Sequence, residues 1–588
     1  MGLLRLTALG ILCISAHAQT ALNWSLTRSD HFELYSQGDE ASARSTLIWF
    51  EQLRAFYLQK SGLAAESLPP VRVIGFHSAS EYQPFRLGPA SDAYHIGTGV
   101  RDYIVMAAVD SGRAGIAAHE YAHSILHAAG LEFPPWFGEG LAEFFSTVSI
   151  GQRGCTLGGD LPARSQTLQR QAWIPLTDLL ALPADSPIRA NRSTAGTFYA
   201  QSWALTDMLV LSPEYGPRFG ALTAALASGT PGSQALAAVY GKSLDAITHD
   251  LQAWTAIKHP PVPLPGIQVG QIAVQTSEQV SPYQAKLVMG DMLLAAGALD
   301  RAEALYRDLE REAPRDARVA AALGAIALRK GDRDGARREW KRAIAEGIDD
   351  ALLCYQYAVL ADMDGVADAE LRSVLERAVA LQPGFDDARY KLALLEKNAG
   401  DYEAALENLR AMKNVAPARA FGYWSAMASA LLELDRREEA RSASRHAWEH
   451  AGTAAQRAYA DQLRYMAATD LEVQFTSSEN GRVELSTTRV PHGTADWNPF
   501  IEPGDKIRHV EGALREIDCS HARTRFLVDT ADGRVTLEIA DATRVQMRNA
   551  PLEFTCGAQT VRQVAVDYAV STASGPNTDG LVRGMQFK

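Results

Sequence analysis

Gly297, Gly331, Gly365 and Gly400 stand 34, 34 and 35 residues apart, and this spacing constrains the fold more than any other feature of the chain. Three of them open related segments: Gly297-Ala298-Leu299-Asp300-Arg301-Ala302, Gly331-Asp332-Arg333-Asp334-Gly335-Ala336 and Gly400-Asp401-Tyr402-Glu403-Ala404-Ala405. Pro314, Pro383 and Pro417 mark unit ends in the same phase. Glycine suits the turn that ends one helix, and proline cannot continue a helix. The spacing therefore predicts two antiparallel helices per unit. A lone hairpin cannot bury its apolar face, so units of this length must stack. Four regular units run from about residue 281 to 418, with less regular helices to about 468.

Units of 34 residues with a central turn and a terminal proline resemble the tetratricopeptide repeat. The resemblance implies an α-solenoid with a concave groove. Either that groove holds a protein or peptide partner, or the array is a spacer.

The second constraint is His119-Glu120-Tyr121-Ala122-His123, an H-E-x-x-H. On a helix, residues four apart lie on one face, so both imidazoles can bind one zinc ion with Glu120 beside it as a base. A zinc hydrolase needs a third protein ligand and an open position. Pro134-Pro135 predicts the start of a second helix near Trp136, which presents Glu139 early. Fifteen residues separate Glu139 from His123, enough for the chain to turn back. Glu143 is one turn further on and can hydrogen-bond a ligand histidine. His127 is read as a supporting or core residue, with Glu139 the better ligand.

H-E-x-x-H followed by Trp136-Phe137-Gly138-Glu139-Gly140-Leu141-Ala142-Glu143 resembles the gluzincins, the group containing thermolysin and aminopeptidase N, and most of all the peptidase MA-like proteins. The resemblance spans roughly residues 22 to 255. It implies His119, His123 and Glu139 as ligands of one zinc per chain and Glu120 as general base. Phe198-Tyr199-Ala200-Gln201-Ser202-Trp203 is similar to the helix that carries the oxyanion-stabilising tyrosine of the aminopeptidase N group, which points to Tyr199, although Gln201-Ser202 replaces the usual Lys-Gly. The G-A-M-E-N-like segment of those aminopeptidases has no counterpart in Tyr103-Ile104-Val105-Met106-Ala107-Ala108-Val109, which lacks an acid until Asp110. That stretch reads as an edge strand able to pair with an extended peptide. An endopeptidase is therefore favoured over an aminopeptidase. The alternative is a non-catalytic repeat scaffold with a vestigial metal site.

Residues 1–18 combine Arg5, an apolar run from Leu6 to Ile14 and Ala16-His17-Ala18, as in a secretory signal cleaved after Ala18. An exported protein, periplasmic or extracellular, without a transmembrane anchor is expected. A net charge of -12 disfavours nucleic acid as a partner. The gluzincin resemblance implies a peptide or protein substrate. The expected organisation is multidomain α+β: the signal 1–18, a zincin-like α/β plus helical metallopeptidase domain 19–258, a proline-rich linker 259–280, the repeat solenoid 281–468 and a small β-rich domain 469–588, a barrel or sandwich. Asn480-Gly481 and Asp532-Gly533 read as turns there. Cys519 and Cys556 lie in that domain, either paired or as two buried thiols.

Overall fold

The computed structural model describes residues 24–588 apart from 62, 66–67, 89–91, 110, 152–153, 191, 265–269, 478–482, 493–497, 499, 522 and 571–576. The signal segment, Asp110 and the Asn480-Gly481 turn lie outside the described residues. Two compact units divide at Glu346/Gly347.

The first unit opens with β1 (Trp24–Arg28), β2 (Phe32–Ser36), α1 (Glu40–Ser61), β3 (Val71–Gly75), α2 (Ala79–Tyr82), β4 (Ala93–Ile96) and β5 (Asp102–Met106). Helices α3 (Ala114–Ala128), which carries the H-E-x-x-H, and α4 (Pro135–Phe145) follow. Next come β6 (Ser149–Gly151), β7 (Gly154–Leu157), α5 (Pro162–Arg170), α6 (Leu176–Ala181), α7 (Pro187–Ala190) and α8 (Arg192–Leu211). The chain continues through α9 (Phe219–Ala227), α10 (Gly232–Tyr240), α11 (Leu244–Thr255), β8 (Val262–Leu264) and β9 (Glu278–Val280). Two hairpins complete the unit: α12 (Pro282–Ala295) with α13 (Leu299–Glu312), and α14 (Ala317–Arg329) with α15 (Arg333–Ala345).

The six-stranded sheet has the order β4-β5-β3-β2-β1-β9. β2, β3 and β5 run parallel, whereas β4 pairs antiparallel with β5 and forms one edge. Side chains alternate across a strand. Ile104 and Met106 therefore meet Phe50 and Tyr121 of α1 and α3 on one face. Tyr103 and Val105 meet Met292 and Tyr306 on the other. The segment beginning at Tyr103 is consequently interior, with β5 buried along its whole length, and is not the expected edge strand. An apolar run buried on both faces is the mark of a covered strand.

The same packing alters the expected domain plan. The stretch read as a linker supplies β8, which pairs with β7, and β9, which pairs with β1. The first two repeat hairpins then cover the back of the sheet. Cutting at residue 258 would strip that cover from Ile74, Tyr82 and Val105, each fully buried. A chain ending at residue 346 should melt in one sharp transition. One ending at 258 should melt broadly and bind a hydrophobic dye, because its largest exposed patch would be sheet core. Equal melting of the two pieces would contradict this packing.

The turns at Gly297 and Gly331 have φ of 75° and 84°. These are left-handed values that glycine adopts without steric cost. Gly290 and Gly324 let the rings of Tyr306 and Trp340 lie directly against the first helix of each hairpin; an added Cβ would fall 2.8 Å and 2.3 Å from those rings.

The second unit continues with α16 (Ala351–Met363), α17 (Asp368–Leu381), α18 (Asp386–Asn398), α19 (Tyr402–Ala411), α20 (Pro417–Glu433), α21 (Arg437–Glu449) and α22 (Ala454–Ala468). Gly365 and Gly400 again take φ of 71° and 84°. Asp435, 35 residues after Gly400, takes φ 53° at the next turn, so the fifth hairpin, α20 with α21, keeps the period without its glycine.

Strands begin directly after α22: β10 (Thr469–Ser477), β11 (Val483–Pro491), β12 (Lys506–Asp518), β13 (Thr524–Thr530), β14 (Gly533–Ile539), β15 (Gln546–Arg548), β16 (Gly557–Val570) and β17 (Gly580–Phe587). β17, β14, β13, β12 and β16 close on themselves through the β16–β17 pairing, while β15, β10 and β11 extend the sheet. This is a small barrel around Val528, Leu537 and Val566, all fully buried. The β13–β14 hairpin turns at Ala531-Asp532, one residue before the expected Asp532-Gly533, because Gly533 already pairs with Thr530. Cys519 and Cys556 form a disulfide. No described helix is long and apolar enough to cross a membrane.

Candidate metal centre

α3 divides into two faces. Ala117, Ala118, Tyr121, Ala122 and Ile125 pack into the sheet-facing core, where the Tyr121 ring lies 5.4 Å from Phe32 and 5.8 Å from Tyr57. His119 and His123 project from the other face. α4 starts at Pro135, the position where proline is tolerated, and is anchored by Trp136, Phe137 and Phe144. Its Glu139 therefore faces the two histidines.

His119 Nε2 and His123 Nε2 are 3.2 Å apart, and Glu139 Oε2 lies 3.4 Å from each. Tetrahedral coordination at zinc–nitrogen and zinc–oxygen bonds of about 2.0–2.1 Å separates neighbouring donors by about 3.3 Å. The near-equilateral triangle thus fits zinc. Among the described residues, this is the single group of three or more histidine, cysteine or acidic side chains arranged to hold a metal ion.

The electrostatics agree. Burial alone would raise Glu139, yet His123 and His119 hold its carboxyl well below the usual range. Burial alone would lower His119, but the Glu139 hydrogen bond and the nearby Glu120 and Glu143 push it up to about 9. Burial raises Glu120, with both histidines pulling against it. Two imidazoles enclosed by three carboxylates form a site whose charge a divalent cation balances.

Glu143 Oε1 is 3.7 Å from His119 Nδ1 and is gripped through both oxygens by Arg164 of α5. The same guanidinium lies 5.2 Å from the centre of the Tyr199 ring, which is 6.5 Å from the His119 ring. Tyr199 thus stands beside the candidate ligands, held from α8.

Arg164, Asp102 and His95 had no local signal in the sequence. Asp102 is completely buried at the start of β5. Its carboxylate accepts from Ser124 Oγ at 2.7 Å and from the Thr98 amide at 3.1 Å, and it pairs with His95 Nε2 at 2.9 Å. One carboxylate thereby ties the edge strand and its following loop to α3. His127 Nδ1 lies 3.9 Å from the same carboxylate, so His127 belongs to this cluster and not to the triangle of His119, His123 and Glu139.

Two cavities of about 720 and 750 Å³ both have His119, Glu120 and Tyr199 in their walls. One extends past His123 and His127 toward the end of α3. The other extends past Gly115 and Arg164 toward its beginning. Ala93 of β4 borders both, so the cleft follows the helix beside the edge strand.

No family model matches this chain, and no curated protein matches it. Among solved structures, it is similar to YrrB, described as a tetratricopeptide-repeat protein with an unusual peptide-binding site. That match has 19% identity over 30% of this chain and 90% of YrrB, with a TM-score of 0.26. It is also similar to MamA, at 21% identity over 29% of this chain and 91% of that protein, with a TM-score of 0.24. A MamA fragment from Desulfovibrio magneticus matches at 19% identity over 26% of this chain and 89% of that one, with a TM-score of 0.22.

Proposed function

We propose that the chain is a zinc-dependent endopeptidase, with His119, His123 and Glu139 as ligands. The ligand triangle of 3.2–3.4 Å carries the reading. When bound, zinc supplies Lewis-acid polarisation of the scissile carbonyl and of a water. Glu120 takes the proton from that water and returns it to the leaving amine. Tyr199 donates its hydroxyl hydrogen to the oxyanion. Glu143, backed by Arg164, orients the His119 ring from behind.

The cleft supports cleavage within a chain. Among the described residues, cavity space extends to both sides of His119 and Glu120, which gives room for substrate on either side of the cut bond. β4, the terminal strand of the sheet among the described residues, replaces the segment 103–109 as the strand an extended peptide would pair with. Internally quenched peptides blocked at both ends should be cut in a zinc-dependent reaction. Tyr199→Phe should retain zinc and reduce kcat roughly 100-fold, the usual scale for one oxyanion donor. Refusal of blocked peptides with trimming of free-amine peptides would reverse the endopeptidase assignment. Unchanged turnover in Tyr199→Phe would remove that residue from the mechanism.

A second reading keeps a binding role and drops the chemistry. The five hairpins favour it, since helical repeats present broad surfaces to partners. In that case wild type and Glu120→Gln would both hold zinc and neither would hydrolyse peptide.

A further inference from the structure

A third cavity in the first unit shares no lining residue with the two beside His119 and Glu120. It measures about 300 Å³ and is bordered by α5, α8, the end of α11 and the segment after it. Trp173, Trp203 and Trp254 contribute to its wall, with Asp207 between them in sequence on α8.

Asp207 is 5% exposed and Trp203 is 7% exposed. Asp207 Oδ2 accepts from Trp254 Nε1 at 2.9 Å, but Oδ1 has no hydrogen-bond partner among the described residues. A buried carboxylate oxygen without a donor is costly, so each such case needs a physical explanation. Burial pushes Asp207 up to about 6, with the Trp254 hydrogen bond and His259 opposing it and Asp160 adding to it. Asp160 also lines the cavity, so two carboxylates face three indoles.

The remaining charges do not satisfy Asp207. Lys258 extends into solvent, 91% exposed, near Asp160 at 3.9 Å. His259 lies flat on Trp254, with ring centres 3.6 Å apart, and its Nε2 is 3.0 Å from the Trp254 carbonyl oxygen. One planar nitrogen ring of the protein itself thus already stacks in this cavity.

We propose that this cavity binds an organic cation, an alkyl-guanidinium or alkyl-ammonium group, against the indoles with its charge on Asp207. The positive group supplies the donor that Oδ1 lacks, and indole faces attract cations. A neutral polyol fits less well. Trp254 Nε1 and Trp173 Nε1 are already committed, to Asp207 and to the Leu168 carbonyl, which leaves the buried Trp203 Nε1 as the one unpartnered indole donor of the wall among the described residues.

Calorimetric titration of the full chain with butylguanidinium tests this, since that probe has no peptide bond for the metal cleft. Butylurea, its neutral counterpart, and cellobiose serve as comparisons. Saturable binding of butylguanidinium alone is expected, weakened at least about tenfold in Asp207→Asn, or about 1.4 kcal/mol. If Asp207→Asn does not fold, Trp173→Leu at its half-buried position should weaken the cation likewise. Absence of saturable heat, equal binding of butylurea, a response to cellobiose, or full affinity in the folded Asp207→Asn variant would each overturn the assignment.

Discussion

Glu120→Gln should bind zinc as the wild type does and lose most peptide hydrolysis, on the order of 100- to 10,000-fold in kcat. The substitution preserves side-chain shape at a position only 7% exposed, so the packing of α3 is kept. The amide oxygen can accept a hydrogen bond, but glutamine cannot take a proton from water and hand it to a leaving amine. His119, His123 and Glu139 remain in place, so elemental analysis should show unchanged metal. The comparison separates the two readings of the chain. A peptidase loses turnover in this variant, whereas a binding protein has none to lose. Hydrolysis at the wild-type rate in Glu120→Gln would assign the activity to a contaminant.

Sequence pattern reaches the centre of this site but not its surroundings, and the reason is range. The histidines lie one turn apart on a single helix, and Glu139 sits early in the next, so local periodicity groups all three. The same holds for the repeats, where Gly297, Gly331, Gly365 and Gly400 each occupy a left-handed turn that a short pattern requires. Asp102 has no such signal. Its importance arises because β4 pairs with β5 and α3 packs over both, which brings His95, Thr98 and Ser124 to one carboxylate. The β5 segment misleads for a related reason. Its residues alternate between two apolar layers, and the second layer comes from α12 to α15, close to 200 residues later. Nothing near Tyr103 announces that Tyr306 will cover it.

Replacing both His119 and His123 by alanine should take the protein from about one zinc per chain to none. Each imidazole contributes one donor to a triangle in which Glu139 is the third. With both gone, a single carboxylate competes with bulk water for the ion, and multidentate binding is lost. Folding should survive. The apolar face of α3, from Ala117 to Ile125, is untouched, and alanine is the best helix former for the vacated positions. Circular dichroism should therefore match the wild type. Stability should respond differently to the metal. A ligand that binds the folded state alone stabilises it by about 4.1 kcal/mol at a thousandfold excess over Kd. The wild-type melt should accordingly rise with added zinc and fall with a chelator, while the double variant should ignore both. Full zinc content in the double variant would place the ion elsewhere and remove the basis for the peptidase mechanism. Loss of zinc with intact helicity and no hydrolysis would tie the chemistry to these two side chains and leave the repeats free of it.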